Sequence, residues 1–343
     1  MNTFPLNQLP QDVFLRTIQS MDIQEQLAYS LCSKNTKKLI KSLNLRAEKI
    51  NLNVNDLIEI EIRFGNSISF WSFTKHGNTF PNNEFRPLDE IKVYVLCRAR
   101  VMSGWIWQFP NFELKDWLYH FCEVLHHPKI DCLYFSGETL DDNYIEPVQK
   151  VIKGLQVGCL LLSDDLTNDF AKKALERFPN YEKLALFQVP FGRDHLNKLL
   201  VQNLKSVFIP VAQRLKIDQI LLTNSQRIQQ NSSMFTEKDF NRFLKLWIRG
   251  SNPNLRFYFT RGQLRPGKDS LDMNLILKGI KYEQVPLDSQ EVHREKVNEH
   301  IYNETRLAGG SRIWSFNGTT AVIVVTENIF KFILEGIDSM YVF

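Results

Sequence analysis

The chain has 343 residues, of which 43% are hydrophobic, 12% aromatic and 23% charged. This balance is typical of a folded globular protein of about two domains and excludes a largely disordered chain. The formal net charge is only +4 and the basic residues are scattered, so we expect no nucleic-acid partner.

The apolar runs and the cysteines indicate where the protein works. No apolar run approaches the roughly 18 residues of a membrane span, and no secretory signal is visible at the start, so we expect no membrane association and a cytoplasmic or nuclear location. The five cysteines are odd in number and contain no Cys-x-x-Cys pair. In a reducing compartment they are expected to be small core residues.

The first forty residues predict three short amphipathic helices. Pro10 suits the first turn of one helix, Asp22 can cap the second, and Ser33 can cap the third. Helices of this length are marginal alone, and so small a unit rarely supplies a stable core. Either the rest of the chain or another protein therefore covers their apolar face, and the spacing leaves both alternatives open.

From residue 50 the apolar spacing changes from about four to two. Alternation in "INLNV", "LIEIEIRF" and "IKVYVLC" predicts antiparallel strands with one buried face, and "NSISFWSF" is a further candidate. "KHGNTFPNNEFRP" predicts a loop, and "NFELKDWLYHFCEVLHH" predicts a helix. His120, His126 and His127 fall in or beside this helix, but their spacing does not suit metal ligands, so no metal site is expected.

Beyond residue 128, short apolar strands alternate with helical segments. Strands are predicted at "KIDCLYFSG", "VGCLLLSD", "YEKLALFQV", "LKSVFIPV" and "IDQILLTN". Their core positions, separated by 28, 25, 21 and 14 residues, are taken as Leu133, Leu161, Leu186, Val207 and Leu221. A strand and a helix in 20 to 29 residues are typical of a leucine-rich repeat, so we predict a degenerate, leucine-rich-repeat-like α/β domain without an asparagine ladder. An ordinary α/β domain with short crossovers is the alternative.

The last hundred residues add a helix, a strand and a hairpin. Thr236, with Asp239 three residues on, predicts the start of a helix that buries Phe240, Phe243, Leu244 and Trp247. "LRFYFT" predicts the next strand. "RIWSFNGTTAVIVV" predicts a hairpin with a type I′ turn at Asn317-Gly318. "NIFKFILEGI" predicts a final helix or strand.

The sequence shows no catalytic motif. A nucleophile elbow, a phosphate-binding loop and a dinucleotide fingerprint are all missing from it. Asp164, Asp165 and Asp169 stand between a predicted strand and a predicted helix, where helix capping and the helix dipole explain them. We therefore expect a non-catalytic protein without a cofactor.

Two stretches resemble a known family. Leu9-Pro10-x-Asp12-Val13, then Ile18, Leu27 and "SLCSKNTKKLI", resemble the F-box. Residues 5–50 and 217–259 are similar to a large nematode-expanded family, in which an F-box precedes an F-box-associated domain of type 2. Many F-boxes carry a tryptophan near the start of the third helix, where this chain has Asn35 and Thr36.

The resemblance implies an α+β fold. A three-helix F-box is expected at residues 4–46, and an α/β receptor domain with an antiparallel strand region and the repeat units is expected at residues 50–343. The resemblance also implies that the F-box docks on a Skp-family adaptor, and through it on a cullin scaffold with its RING ubiquitin ligase, while the second domain selects a target protein. A non-catalytic α/β scaffolding protein, whose first helices pack internally, is the alternative.

The resemblance also carries residues over. Those expected to contact the adaptor, or to support that surface, are Leu9, Pro10, Val13, Ile18, Leu27, Leu31, Leu39 and Ile40. Tyr134, Lys183 and Arg256, near the predicted repeat strands, are candidates for the target-binding surface.

Overall fold

The computed structural model divides the chain into two compact units. The first unit is Met1–Leu133 with Asp141–Val157, and the second unit is Tyr134–Leu140 with Gly158–Phe343. The residues described are 6–55, 57–74, 90–97, 100–107, 112–188, 193–209, 215–231, 234–262, 264, 267–288, 292–296, 302–306, 309–335 and 339–340. None of the helices in these ranges has the length and apolar character that a bilayer crossing requires.

Three short helices open the first unit: α1 (Gln11–Ser20), α2 (Ile23–Leu31) and α3 (Lys34–Ser42). Both predicted caps are confirmed by reciprocal contacts three residues apart. The backbone N–H of Asp22 donates to the Glu25 carboxylate (3.0 Å). Ser33 Oγ accepts from the N–H of Thr36 (3.1 Å), and Thr36 Oγ1 accepts from the N–H of Ser33 (2.9 Å). Such a box satisfies backbone donors that a helix start leaves unpaired.

A five-stranded antiparallel meander follows the helices. Its strands are β1 (Lys49–Val54), β2 (Ile58–Phe64), β3 (Ser67–Thr74), β4 (Glu90–Cys97) and β5 (Arg100–Trp107), each paired with the next. The alternation predicted for β1 and β2 is confirmed, because Ile50, Leu52, Ile60 and Ile62 are fully buried. The sequence did not predict β5. The predicted loop "KHGNTFPNNEFRP" lies outside the described residues.

Helix α4 (Leu114–Val124) supplies the core of the first unit. As predicted, its apolar face is buried, including Trp117 and Phe121. Trp71 of β3 packs on both rings, with ring centroids 5.9 Å from Trp117 and 4.6 Å from Phe121. The unit is completed by α5 (Ile145–Ile152), and the division between the units falls within β6 (Lys129–Phe135) and β7 (Gln156–Leu162).

The second unit alternates strands and helices. After β7 come α6 (Asn168–Arg177), β8 (Tyr181–Leu186), α7 (Arg193–Leu200), β9 (Ser206–Ile209), α8 (Ile217–Leu222), β10 (Arg227–Gln230), α9 (Glu237–Ile248) and β11 (Phe257–Arg261). The four strands from β8 to β11 pair in parallel and in chain order. Consecutive strands therefore lie side by side, with a helix on each connection.

One predicted strand of this series is wrong. "IDQILLTN" contains α8, not a strand, and the strand is β10, which begins five residues after α8 ends. Ile217 and Ile220 are buried at helical spacing, and the N–H of Lys216 donates to Gln219 Oε1 (2.9 Å) at the start of the helix. The core positions change accordingly. The residues that align across the sheet are Leu184, Val207, Ile228 and Tyr258, in place of Leu186 and Leu221.

An asparagine ladder joins the turns that precede these strands. Asn254 Nδ2 donates to Asn224 Oδ1 (2.7 Å), and Asn224 Nδ2 donates to Asn203 Oδ1. Each asparagine stands four residues before an aligned core position, and Asn180 occupies the same place before Leu184. These asparagines precede their strands, whereas the asparagine of a leucine-rich repeat follows its strand, so the expected absence of a leucine-rich-repeat ladder is not contradicted.

The predicted helix α9 is confirmed, and an antiparallel extension of the sheet covers its face. The extension runs from β11 through β17 (Ile329–Leu334), β16 (Thr320–Thr326) and β15 (Ser311–Trp314) to β12 (Glu283–Gln284). Phe240 of α9 stacks on Phe330 with ring centroids 4.3 Å apart. "NIFKFILEGI" thus contributes a strand. The remaining elements are α10 (Met273–Ile276) and a small sheet of β13 (Val292–Lys296), β14 (Tyr302–Arg306) and β18 (Ser339–Met340).

The predicted hairpin of β15 and β16 is confirmed, but its turn differs from the prediction. A type I′ turn needs positive φ at both central residues, whereas here only Gly318 of the pair has it (85°). The N–H of Gly318 donates to Ser315 O (3.0 Å), and the N–H of Ser315 donates to Thr319 O (2.9 Å), so the loop is longer. Asn317 Oδ1 accepts from the N–H of Thr319 (3.1 Å), which holds this loop.

Candidate functional site

Burial divides the eight residues expected at the adaptor surface into two groups. Ile18, Leu27 and Ile40 are completely buried (0% exposed) in the isolated chain, so they hold the three helices together and touch no partner without rearrangement. The other five keep exposed surface: Leu9, Pro10, Val13, Leu31 and Leu39. Val13, in α1, is 41% exposed.

A buried hydrogen bond joins α2 to α4. Ser30 Oγ lies 2.7 Å from His120 Nε2, and both side chains are buried. The Ser30 hydroxyl donates its only proton to Leu27 O (2.6 Å), so it accepts from His120, which must carry its proton on Nε2. Burial, and to a lesser extent the Lys37 ammonium, lower the pKa of His120 to about 4, against the smaller opposing effect of Glu123. The imidazole is therefore neutral at physiological pH.

Ion pairs at the rim join α3 to α4. Lys37 Nζ lies 2.8 Å and Lys41 Nζ lies 3.1 Å from the Glu123 carboxylate. Hydrogen bonds from both lysines lower the pKa of Glu123, so the carboxylate is ionised. His126 Nε2 lies 2.9 Å from Lys41 O, to which it donates. The downstream part of the first unit thus covers one face of the amino-terminal helices, and this contact was not visible in the local sequence.

Comparison with known proteins matches two parts of the chain. A family model described as an F-box domain matches residues 6–48, and a second, described as F-box associated and of type 2, matches residues 195–258. These matches, with the relative described below, support similarity to the nematode F-box family with a type 2 F-box-associated domain. Proteins of this family are typically non-catalytic adaptors, and the F-box generally binds a Skp-family adaptor that leads to a cullin.

A curated relative of this F-box protein covers most of the chain. The "F-box associated domain-containing protein sdz-33" of Caenorhabditis elegans is 24% identical over 283 residues, which span 81% of this chain and 85% of the relative. No solved structure matches the chain. The F-box match contains α1 to α3 and ends just before β1. The F-box-associated match runs from α7 into β11 and contains all three residues of the asparagine ladder.

The structure places the three candidate target-binding residues on separate segments of the F-box protein. Tyr134 lies in β6, Lys183 in β8 and Arg256 just before β11, and each is half-buried. A further row on the strands was missed by sequence reasoning. Phe208, Gln229 and Phe259 are neighbours across β9, β10 and β11, and all three are partly exposed. These residues become neighbours through the pairing of β9, β10 and β11. The sequence "RIQQ" contains no local pattern that predicts this pairing.

The histidines and acidic residues serve structural contacts. Among the described residues, no group of three or more His, Cys, Asp or Glu side chains could hold a metal ion. His127 pairs with Asp131 (2.6 Å), whose carboxylate also accepts from the N–H of Ile50 (2.9 Å). In "SDDLTND" the cap of α6 is Thr167, whose Oγ1 accepts from the N–H of Phe170 (3.2 Å). The capping role expected of the aspartates thus falls mainly to Thr167.

Proposed function

We propose that this F-box protein is the target-recognition subunit of a Skp–cullin–F-box ubiquitin ligase and has no catalytic activity of its own. One observation carries the proposal. After α2 and α3 have packed on α4, Pro10 and Val13 of the expected adaptor surface are exposed, and Leu9, Leu31 and Leu39 are half-buried. Partly exposed apolar side chains are common on folded chains, so it is their concentration within one short helical segment that supports contact with a partner.

The two burial groups then have different roles. Ile18, Leu27 and Ile40 keep the helices in place, while the exposed group, with Val13 at its most accessible point, provides the adaptor contacts. The hydrogen bond from Ser30 and the ion pairs from Lys37 and Lys41 fix the F-box helices on α4 and so on the rest of the first unit. A bound adaptor would therefore have a fixed orientation on this unit.

The receptor domain, proposed at residues 50–343, would bind the target protein through its repeat strands. The parallel strand–helix units support a leucine-rich-repeat-like arrangement of β8 to β11. The row of Phe208, Gln229 and Phe259 offers aromatic contact area beside an amide, a combination that protein interfaces favour. We propose this row as the target surface and the cytoplasm or nucleus as the location.

Copurification of the full chain with a Skp-family adaptor tests the proposal. We expect binding at sub-micromolar Kd, which corresponds to about 8 kcal/mol or more. Val13→Asp places a charge in the proposed interface at an exposed position, so it should weaken binding at least about tenfold without lowering Tm. Leu57→Asp is the matched control, because Leu57 is 42% exposed in the same unit but lies outside the F-box.

The alternative scaffolding role makes the opposite prediction. If the folded chain binds no Skp-family adaptor, the opening helices act only as part of the first unit and the ligase role is wrong. A charge at Leu27 does not distinguish the two roles, since Leu27 is fully buried and Leu27→Asp would unfold the helices in either case. Val13→Asp and Leu57→Asp avoid this problem.

A further inference from the structure

The four lysines of α3 share one face of the helix, because they are spaced i, i+3, i+4 and i+7. Lys37 and Lys41 are half-buried and share Glu123 of α4. Lys34 and Lys38 are exposed one helical turn apart, and neither makes an ion pair within the part of the chain that the structure describes. One carboxylate thus balances one of the two charges beside α4, and the two exposed lysines, called the outer lysines, keep both of theirs.

The outer lysines oppose the stability of their own helix. The first turn of α1 contains Asp12 and that of α2 contains Glu25, as the helix dipole favours. The first turn of α3 contains no acidic residue and begins with Lys34. A cation at this end is unfavourable, and like charges four residues apart, such as Lys34 and Lys38, repel each other. Helix formation therefore does not explain these two residues.

The positive field of α3 acts beyond the helix itself. Lys37 is, after burial, the next cause of the lowered pKa of His120 on α4. In sequence, Lys38 directly precedes Leu39, and Lys34 follows Leu31 at the end of α2 by three residues. Lys38 and Leu39 point about 100° apart around the helix, so the two unneutralised charges flank the proposed adaptor interface rather than lie within it.

We propose that Lys34 and Lys38 form a basic docking patch that steers an acidic protein surface, that of the Skp-family adaptor, onto the F-box. This inference rests on the proposed function and adds the charge of the partner to it. Charges at the edge of an interface act mainly on the association rate and on its salt dependence, and less on dissociation. Two lysines are too few for the sustained phosphate contacts of a nucleic-acid site.

The test measures association of the full chain with a Skp-family adaptor at low and high salt. For Lys34→Glu combined with Lys38→Glu we expect association about tenfold slower at low salt and unchanged at high salt. The control combines Lys238→Glu with Lys268→Glu, two exposed lysines of the second unit, and changes the net charge equally. Lys34→Glu alone should raise Tm, because it places an acid at the helix start and pairs it with Lys38, so slower association cannot reflect unfolding.

Three results would overturn the patch. If the adaptor binds but the α3 variant and the control associate at equal rates, the patch is wrong and the proposed function stands. If the intact chain binds no adaptor at any salt concentration, both fail together. If the α3 lysines change binding to phosphatidylserine vesicles and not to the adaptor, the surface serves a membrane instead.

Discussion

The buried imidazole of His120, which is hydrogen-bonded to Ser30, makes the first unit less stable as the pH falls. The folded pKa of His120 is about 4, below the ordinary value of 6.5, chiefly because the imidazole is buried. Between these values the unfolded chain takes up a proton that the folded chain does not. Acidification therefore favours unfolding, and the stability that is fully present above pH 6.5 is lost as the pH falls towards 4.

The size of the effect follows from the two pKa values. Replacing His120 with Gln keeps a polar group near Ser30 and removes the titration. Between pH 7 and pH 5, the native chain should lose about 2 kcal/mol more unfolding free energy than His120→Gln, with a limit of about 3 kcal/mol at lower pH. Carboxylates such as Glu123 titrate in both proteins, so their contribution cancels in the comparison.

Urea unfolding of both full-length proteins at pH 7 and pH 5, followed by tryptophan fluorescence, measures this difference. Trp71 and Trp117 are buried in the core of the first unit, and Trp117 lies on the same helix as His120. In parallel, the NMR resonance that disappears in His120→Gln should titrate near pH 4. Equal pH dependence in the two proteins, or a resonance that titrates near its ordinary value, would refute a buried neutral imidazole at this contact.

Other contacts give predictions that unfolding experiments can check. Ser33→Ala removes the cap of α3 and should cost about 1 kcal/mol, whereas Ser33→Asp should not. Asn252 is buried and donates to Ile220 O (2.8 Å) and Thr223 O (3.1 Å), so Asn252→Ala should cost about 2 kcal/mol and Asn254→Ala, at an exposed site, much less. Gly250 has a φ of +98°, so Gly250→Ala should cost about 1–2 kcal/mol. A Cβ there would lie 2.6 Å from the exposed ring of Phe316, which can turn away, so adding Phe316→Ala should recover less than half of the loss.

The elements that depend on near neighbours in sequence were predictable. The caps at Asp22, Ser33 and Thr236 each rest on a residue three positions later, and the alternation in β1 and β2 reports one buried face directly. The strand predicted at "IDQILLTN" was wrong because a short run of apolar residues suits a strand and a helix equally well.

Strand β10 could not be found from hydrophobicity, because two of its four residues are buried polar side chains. The Arg227 guanidinium lies over the ring of Phe257 (3.9 Å), and Gln230 accepts from the Tyr258 hydroxyl (3.0 Å). Both partners belong to the next strand, about thirty residues on. The signal that could have located β10 is Asn224, four residues before Ile228.

The candidate site was predictable only in part. The resemblance placed eight residues in the F-box, but no local pattern divided them into the three that are buried and the five that keep exposed surface. Ser30 and His120 are separated by 90 positions, and no periodicity connects them. His120 does lie between Trp117 and Phe121 on an apolar face, a position typical of a core histidine.

In the second unit, the spacing from each ladder asparagine to its core residue is constant, whereas the length of the crossover between strands varies. From one aligned core residue to the next, the chain advances by 23, 21 and 30 residues, yet the distance from asparagine to core residue is always four. Each strand is therefore positioned from its entry point, and the length of the preceding crossover does not affect its register. Insertions and deletions in the helical segments can accumulate without shifting a strand against its neighbour, so a family built on this unit can diversify in length while the geometry of its sheet is inherited intact.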